Sequence, residues 1–79
     1  MNIIEAIQYA ENGKLITNGF LKMTNSYLEY WREGVFREHR IISDDKTTFV
    51  CEHYAFSMGY ILANDWELVH TLKLSARPI

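Results

Sequence analysis

Apolar positions at the start of the chain recur at helical spacing. Ile3, Ile4, Ile7 and Ala10 share one face of residues 3 to 12, and Glu5, Gln8, Glu11 and Asn12 fill the other. Asn2 with Glu5 three residues on is a capping-box pattern, and Gly13 supplies a left-handed helix end. After Gly13 the period shortens to that of strands. Lys14 to Thr17 predicts a short strand. Asn18-Gly19 predicts a type I′ hairpin turn, since both residues accept positive φ, with Phe20 to Met23 returning from it. Thr24-Asn25-Ser26 predicts a second turn. Tyr27, Glu29 and Trp31 then alternate with Leu28 and Tyr30 over a strand from Tyr27 to Arg32.

Glu33-Gly34 turns the chain into Val35 to Ile42. Here Phe36, Glu38, Arg40 and Ile42 oppose Val35, Arg37, His39 and Ile41, and both faces mix polar and apolar groups, a pattern that suits an edge or interface strand. Ser43 to Lys46 is a turn by composition, and Thr47 to Tyr54 is a strand centred on Phe49, Val50 and Cys51. From Ala55 to Val69 the period changes from about 3.6 to 2. A helical turn around 56 to 62 passes through Asn64-Asp65 into a strand from Trp66 to Leu72. The sum is an α+β domain: an antiparallel sheet with an N-terminal amphipathic helix and a second short helix before the last strand. Residues 1 to 73 are expected to form this one domain and 74 to 79 a C-terminal tail.

Composition sharpens this in three ways. Among 79 residues, five Tyr, four Phe and two Trp give more aromatic area than a small core consumes. Self-association would cover the excess, so a homo-oligomer is expected. Eight basic and ten acidic side chains, with no basic run, argue against capture of nucleic acid. Arg32, Arg37 and Arg40 are interrupted by Glu33 and Glu38. A single cysteine, Cys51, excludes an internal disulfide framework and fits a reducing compartment; its β-branched surroundings predict a buried, inert thiol. No signal-peptide pattern is visible, and no apolar run approaches the ~20 residues of a membrane span. The chain is expected in the cytoplasm, away from membranes.

Catalytic readings find little support. Ser57 lacks a nucleophile-elbow context. Cys51 and His53 stand at i and i+2 on one strand face, where they can touch and would form a thiol-based site. His39, His53 and His70 lack metal-ligand spacing, and Asp44, Asp45 and Glu52 lack a calcium-loop pattern, so neither metal nor cofactor is expected. Binding fits better. Aromatic side chains interleaved with Arg and Lys suit a nucleotide-like ligand, with bases stacked on rings and phosphates held by charge-assisted bonds. On charge chemistry, Arg32, Arg37 or Lys22 would answer the phosphates, with Trp31 among the stacking rings.

The segment Leu62-Ala63-Asn64-Asp65-Trp66-Glu67-Leu68-Val69 resembles the closing leucine-alanine-x-aspartate-tryptophan segment of small phage proteins of the Thoeris anti-defence two family. Ile4-Glu5-Ala6-Ile7 followed by Gly13-Lys14 resembles that family's start. The resemblance implies a homotetrameric sponge that binds a cyclic ADP-ribose-type immune signal between subunits, in the host cytoplasm, without cleaving it. It also implies roles at particular positions. Phe20 and Trp66 would flank the base or frame the pocket, and Asp65 would accept from a ribose hydroxyl or hold the corner. The family's arginine and tryptophan after glycine-lysine fall near Thr17 and Phe20, and its frequent aspartate falls at Tyr60, so a different cyclic nucleotide is open as the ligand. The competing expectation is direct inhibition of a host protein by the aromatic surface from Tyr27 to Trp31.

Overall fold

The computed structural model describes residues 1–70. The end of the strand expected to Leu72, the tail at 74 to 79 and the domain limit at 73 lie outside the described residues. The chain runs α1 (Ile3–Glu11), β1 (Leu15–Thr17), α2 (Gly19–Lys22), β2 (Ser26–Arg32), β3 (Val35–Ser43), β4 (Lys46–His53), α3 (Met58–Leu62) and β5 (Glu67–Val69). The five strands form one antiparallel sheet in the order β4-β3-β2-β1-β5. The α+β fold expected from the sequence is present.

α1 begins in the expected capping box: Asn2 Oδ1 accepts from the Glu5 N–H at 2.9 Å, and Glu5 Oε1 accepts from the Asn2 N–H at 3.2 Å. It ends in a Schellman arrangement, with Gly13 at φ +90° and the Gly13 and Lys14 N–H groups donating to the carbonyls of Ala10 and Tyr9. The buried stripe is Ile3, Ala6 and Ala10. Ile4, expected on that face, points outward at 66% exposure. The small Ala6 and Ala10 let α1 approach β1, β2 and β5 closely, and Ile4, one residue and about 100° on from Ile3, falls outside the stripe of Ile3, Ala6 and Ala10.

Two expectations fail around Asn18-Gly19. Instead of a hairpin, Asn18 caps α2: its backbone is extended and its side chain accepts from the Leu21 N–H at 2.8 Å. Phe20 to Met23 therefore form a helical turn and its end, not a returning strand, and the positive φ appears later, at Asn25 (59°). The expected turn at residues 24 to 26 is present there, with Asn25 bound to the backbone of Ile41.

β3 is also not an edge strand, because β2 and β4 flank it. Its polar side chains find cross-strand partners, which is how a mixed pattern survives inside a sheet: Arg37 with Glu52, His39 with Glu29, and Glu38 with His53. The edge on this side is β4, and a register shift opposite Glu38 and His39 makes Val50 an extra residue there. Cys51 pairs with Glu38, and Phe49 with His39. The bulge puts Cys51 and Phe49 on opposite faces although they are two residues apart.

One face packs Leu28, Phe36 and Ile16 under α1 and α3 with Leu21, Tyr60 and Trp66. The other carries Tyr27, Trp31, Arg37, His39 and Phe49. Among the described residues, no helix is long and apolar enough to cross a membrane.

Candidate ligand-binding site

Three elements meet beside the corner that joins α3 to β5. α2 presents Phe20 and the cap Asn18. α3 presents Gly59 and Tyr60 behind its own cap, Ser57, whose hydroxyl accepts from the Tyr60 N–H at 3.4 Å. The corner contributes Ala63 and Asp65. Together they line an open cleft of about 220 Å³. Asp65 Oδ2 accepts from the Gly19 N–H at 2.9 Å, which ties the corner to the start of α2. A Cβ on residue 19 would lie 2.7 Å from the carboxylate oxygen, so a larger residue there would make the Asp65 side chain shift. Phe20 stands 68% exposed with its edge against Tyr60, ring centroids 6.0 Å apart.

The cleft offers an aromatic wall, one carboxylate and a hydroxyl, and its lining residues include no lysine or arginine. Such a lining suits a flat ring and hydroxyl donors and gives no counter-charge for phosphate. Half-open at this size, it is below the roughly 300–1,000 Å³ of ordinary small-molecule pockets.

The expected site residues are not all in one place. Phe20 and Asp65 are together in the cleft. Trp66 is not: it is 2% exposed, in contact with Phe56 and Tyr60, and its indole N–H donates to the Tyr60 carbonyl at 3.2 Å. Trp31 and Arg37 are on the opposite face of the sheet. The Arg37 guanidinium lies 4.2 Å from the Trp31 ring centre and 4.9 Å from that of Phe49, and Glu52 is its ion-pair partner at 3.5 Å. Arg32 is exposed at the end of β2, Lys22 is paired with Glu67, and Thr17 is buried with its hydroxyl on the Ser26 carbonyl. None of these reaches the cleft. Sequence reasoning missed Tyr60 and Ser57 as cleft residues; Ser57, three positions before Tyr60 at the start of a helical run, was legible as a cap.

A second cluster lies on the helix-covered face of the β3–β4 hairpin. His53 Nε2 is 2.8 Å from Glu38 Oε1 and 3.5 Å from Cys51 Sγ, and Sγ is 3.8 Å from the same Glu38 oxygen. The expected contact between Cys51 and His53 is present, but the expected burial of the thiol is not; Cys51 is exposed because β4 is the edge. Some burial and the adjacent Glu38 carboxylate push the thiol pKa up. A single imidazole nitrogen faces both partners, so no relay runs from carboxylate through histidine to thiol as nucleophile activation requires.

Tyr60 is affected by the same neighbourhood. Burial first, then the charges of Glu38 and Cys51, push its phenol up to about 12. Because the folded value exceeds the unfolded one, near 10, the stabilisation is complete below about pH 10 and is lost as pH rises toward 12. In urea titrations at pH 8 and pH 11.5, Tyr60→Phe should remove part of the alkaline loss of stability, on the order of 2 kcal/mol. An unchanged alkaline slope would mean that Tyr60 ionises normally.

No protein-family model, curated protein or solved structure matches this chain. The resemblance therefore rests on the two segments named above, Ile4 to Ile7 with Gly13-Lys14 and Leu62 to Val69, alone.

Proposed function

We propose that the chain is a non-catalytic phage anti-defence protein that sequesters a small nucleotide-type immune signal, a cyclic ADP-ribose isomer or a related cyclic nucleotide, in a cleft completed by a second copy of itself. The observation that carries this reading is the meeting of an exposed aromatic ring, Phe20, and a carboxylate, Asp65, across one cleft, at two positions that the resemblance also marks. Phe20 stacks on the base, and Asp65 accepts from a ribose hydroxyl while keeping its bond to Gly19. Cations for the phosphates come from the second copy. The size of the cleft and the apolar rim beside it support that division: Met58, Ile61 and Leu62 on α3 are 65%, 47% and 73% exposed.

Calorimetric titration with cyclic nucleotides and cyclic ADP-ribose isomers, followed by heat release of the ligand, tests this. Tight binding with intact ligand recovered is expected. Phe20→Ala should weaken it about tenfold, within the ~1–3 kcal/mol typical of a base on an aromatic ring, and Asp65→Asn, which can still accept from Gly19, should weaken it with little loss of stability. Silence across the panel, or a chemically altered ligand, would overturn the proposal.

A second reading draws on the Trp31–Arg37–Phe49 stack. Tryptophan and arginine on an open sheet face have the composition of protein-binding hot spots, which favours inhibition of a host protein. Trp31→Ala is the clean test of that surface, because Tyr30 packs against the core through Phe36 and its loss would disturb the fold.

A further inference from the structure

The Glu38, Cys51 and His53 donors sit where a tetrahedral cation would hold them. Zinc at ordinary bond lengths to sulfur, nitrogen and oxygen separates such donors by about 3.2–3.6 Å. The edges here are 2.8 Å between Glu38 and His53, 3.5 Å between His53 and Cys51, and 3.8 Å between Cys51 and Glu38. All three atoms fall within 4.8 Å of one another. Entry of the ion needs shifts of only a few tenths of an ångström in side chains.

Two further features point the same way. Glu38 is a carboxylate buried to 8% exposure on the helix-covered face, where a charge is costly without a strong counter-charge. His53 directs one nitrogen at both other donors, which is poor geometry for a relay and good geometry for three groups sharing one central atom.

We propose that Glu38, Cys51 and His53 form a three-ligand centre for a zinc-type divalent cation, with water in the fourth position. Thiolate and imidazole together select zinc, cobalt(II) or a similar soft-to-borderline ion over magnesium or calcium. On binding, Cys51 Sγ, His53 Nε2 and Glu38 Oε1 each donate an electron pair to the ion. The thiol proton leaves to solvent, and the neutral imidazole carries its proton on Nδ1. Exposure of Cys51 gives the ion its entry path, and a neighbouring hollow lined by Phe36, His53 and Phe56 lies beside the centre. The ion would fasten edge strand β4 to β3 just behind the ligand cleft, with the His53 ring tilted against that of Tyr60, a cleft residue, at 6.0 Å between centroids. The inference is independent of what the cleft binds.

Cobalt(II) titration of the metal-free protein under thiol-free reductant tests this. One equivalent should bind and give tetrahedral visible bands with a thiolate-to-cobalt charge-transfer band, and zinc should displace it and raise the Tm. Cys51→Ser should abolish the charge-transfer band and weaken binding at least a hundredfold, and His53→Gln should weaken it comparably. Cys51 is exposed, so the serine variant in chelator should melt with the metal-free wild type, which separates loss of the ion from loss of the fold. A wild type without the charge-transfer band, or a Cys51→Ser variant that titrates like the wild type, would overturn the proposal.

Discussion

Trp66→Ala is expected to lose about 3–5 kcal/mol of stability, the range for deleting a buried large aromatic side chain. Trp66 is 2% exposed, and its ring contacts Phe56 at 6.3 Å and Tyr60 at 5.7 Å between centroids. The indole also satisfies a buried acceptor, the Tyr60 carbonyl, and alanine would leave that carbonyl without its donor, adding to the cavity cost. Domains of this size hold only about 5–15 kcal/mol in total, so the variant should melt at least ~12 °C lower or be unfolded at room temperature. Trp66→Phe should keep most of the packing and lose the hydrogen bond, at about 1–2 kcal/mol. Urea titration by circular dichroism reads both. If Trp66→Ala were as stable as the wild type but failed to bind the ligand, Trp66 would belong to the site and its placement in the core would be wrong.

The same residue shows how much of the fold was legible beforehand. The change of period between Ala55 and Val69 located α3, the corner and β5, because helix and strand alternation are local properties of a chain. It did not say which way Trp66 faces. A tryptophan just before a short strand can turn toward core or cleft, and here the backbone bond from the Trp66 N–H to the Met1 carbonyl helps fix its orientation. That partner is at the other end of the described chain. Phe20 and Asp65 line one cleft, while Trp31 and Arg37 stand together on one face of the sheet and the cleft lies across the sheet from it. The Glu38–Cys51–His53 cluster was half visible, as the i, i+2 pair on β4. Its third member depends on the bulge at Val50, and nothing in Thr47 to Tyr54 announces one.

Asn18-Gly19 failed for a different reason. The dipeptide satisfies two sets of local rules, those of a type I′ turn and those of a helix cap followed by a flexible first residue. The tie is broken from 46 positions away, where Asp65 takes the Gly19 N–H that a tight turn would have exposed to solvent. Leu21, 2% exposed, then docks into the core and commits the segment to α2. Propensity had no access to either event.

This gives the second large expected effect. Asn18 is 1% exposed, and its Oδ1 accepts from the Leu21 N–H at 2.8 Å. Asn18→Ala would remove the cap, and because the Leu21 N–H left unpaired is buried, the cost lies at or above the top of the ~0.5–2 kcal/mol of ordinary caps. A loss of about 2–3 kcal/mol is expected, more than an exposed cap is worth. Asn18→Asp retains the acceptor and should recover most of it. Asn18→Gly separates the two structures for this segment: a type I′ turn would accept glycine at little cost, whereas a buried cap would lose nearly as much as with alanine. Equilibrium denaturation of the three variants decides between them. If glycine were neutral and alanine harmful, Asn18 would be acting through its backbone conformation, α2 would not be capped by its side chain, and the cleft wall carrying Phe20 would have to be rebuilt around a hairpin.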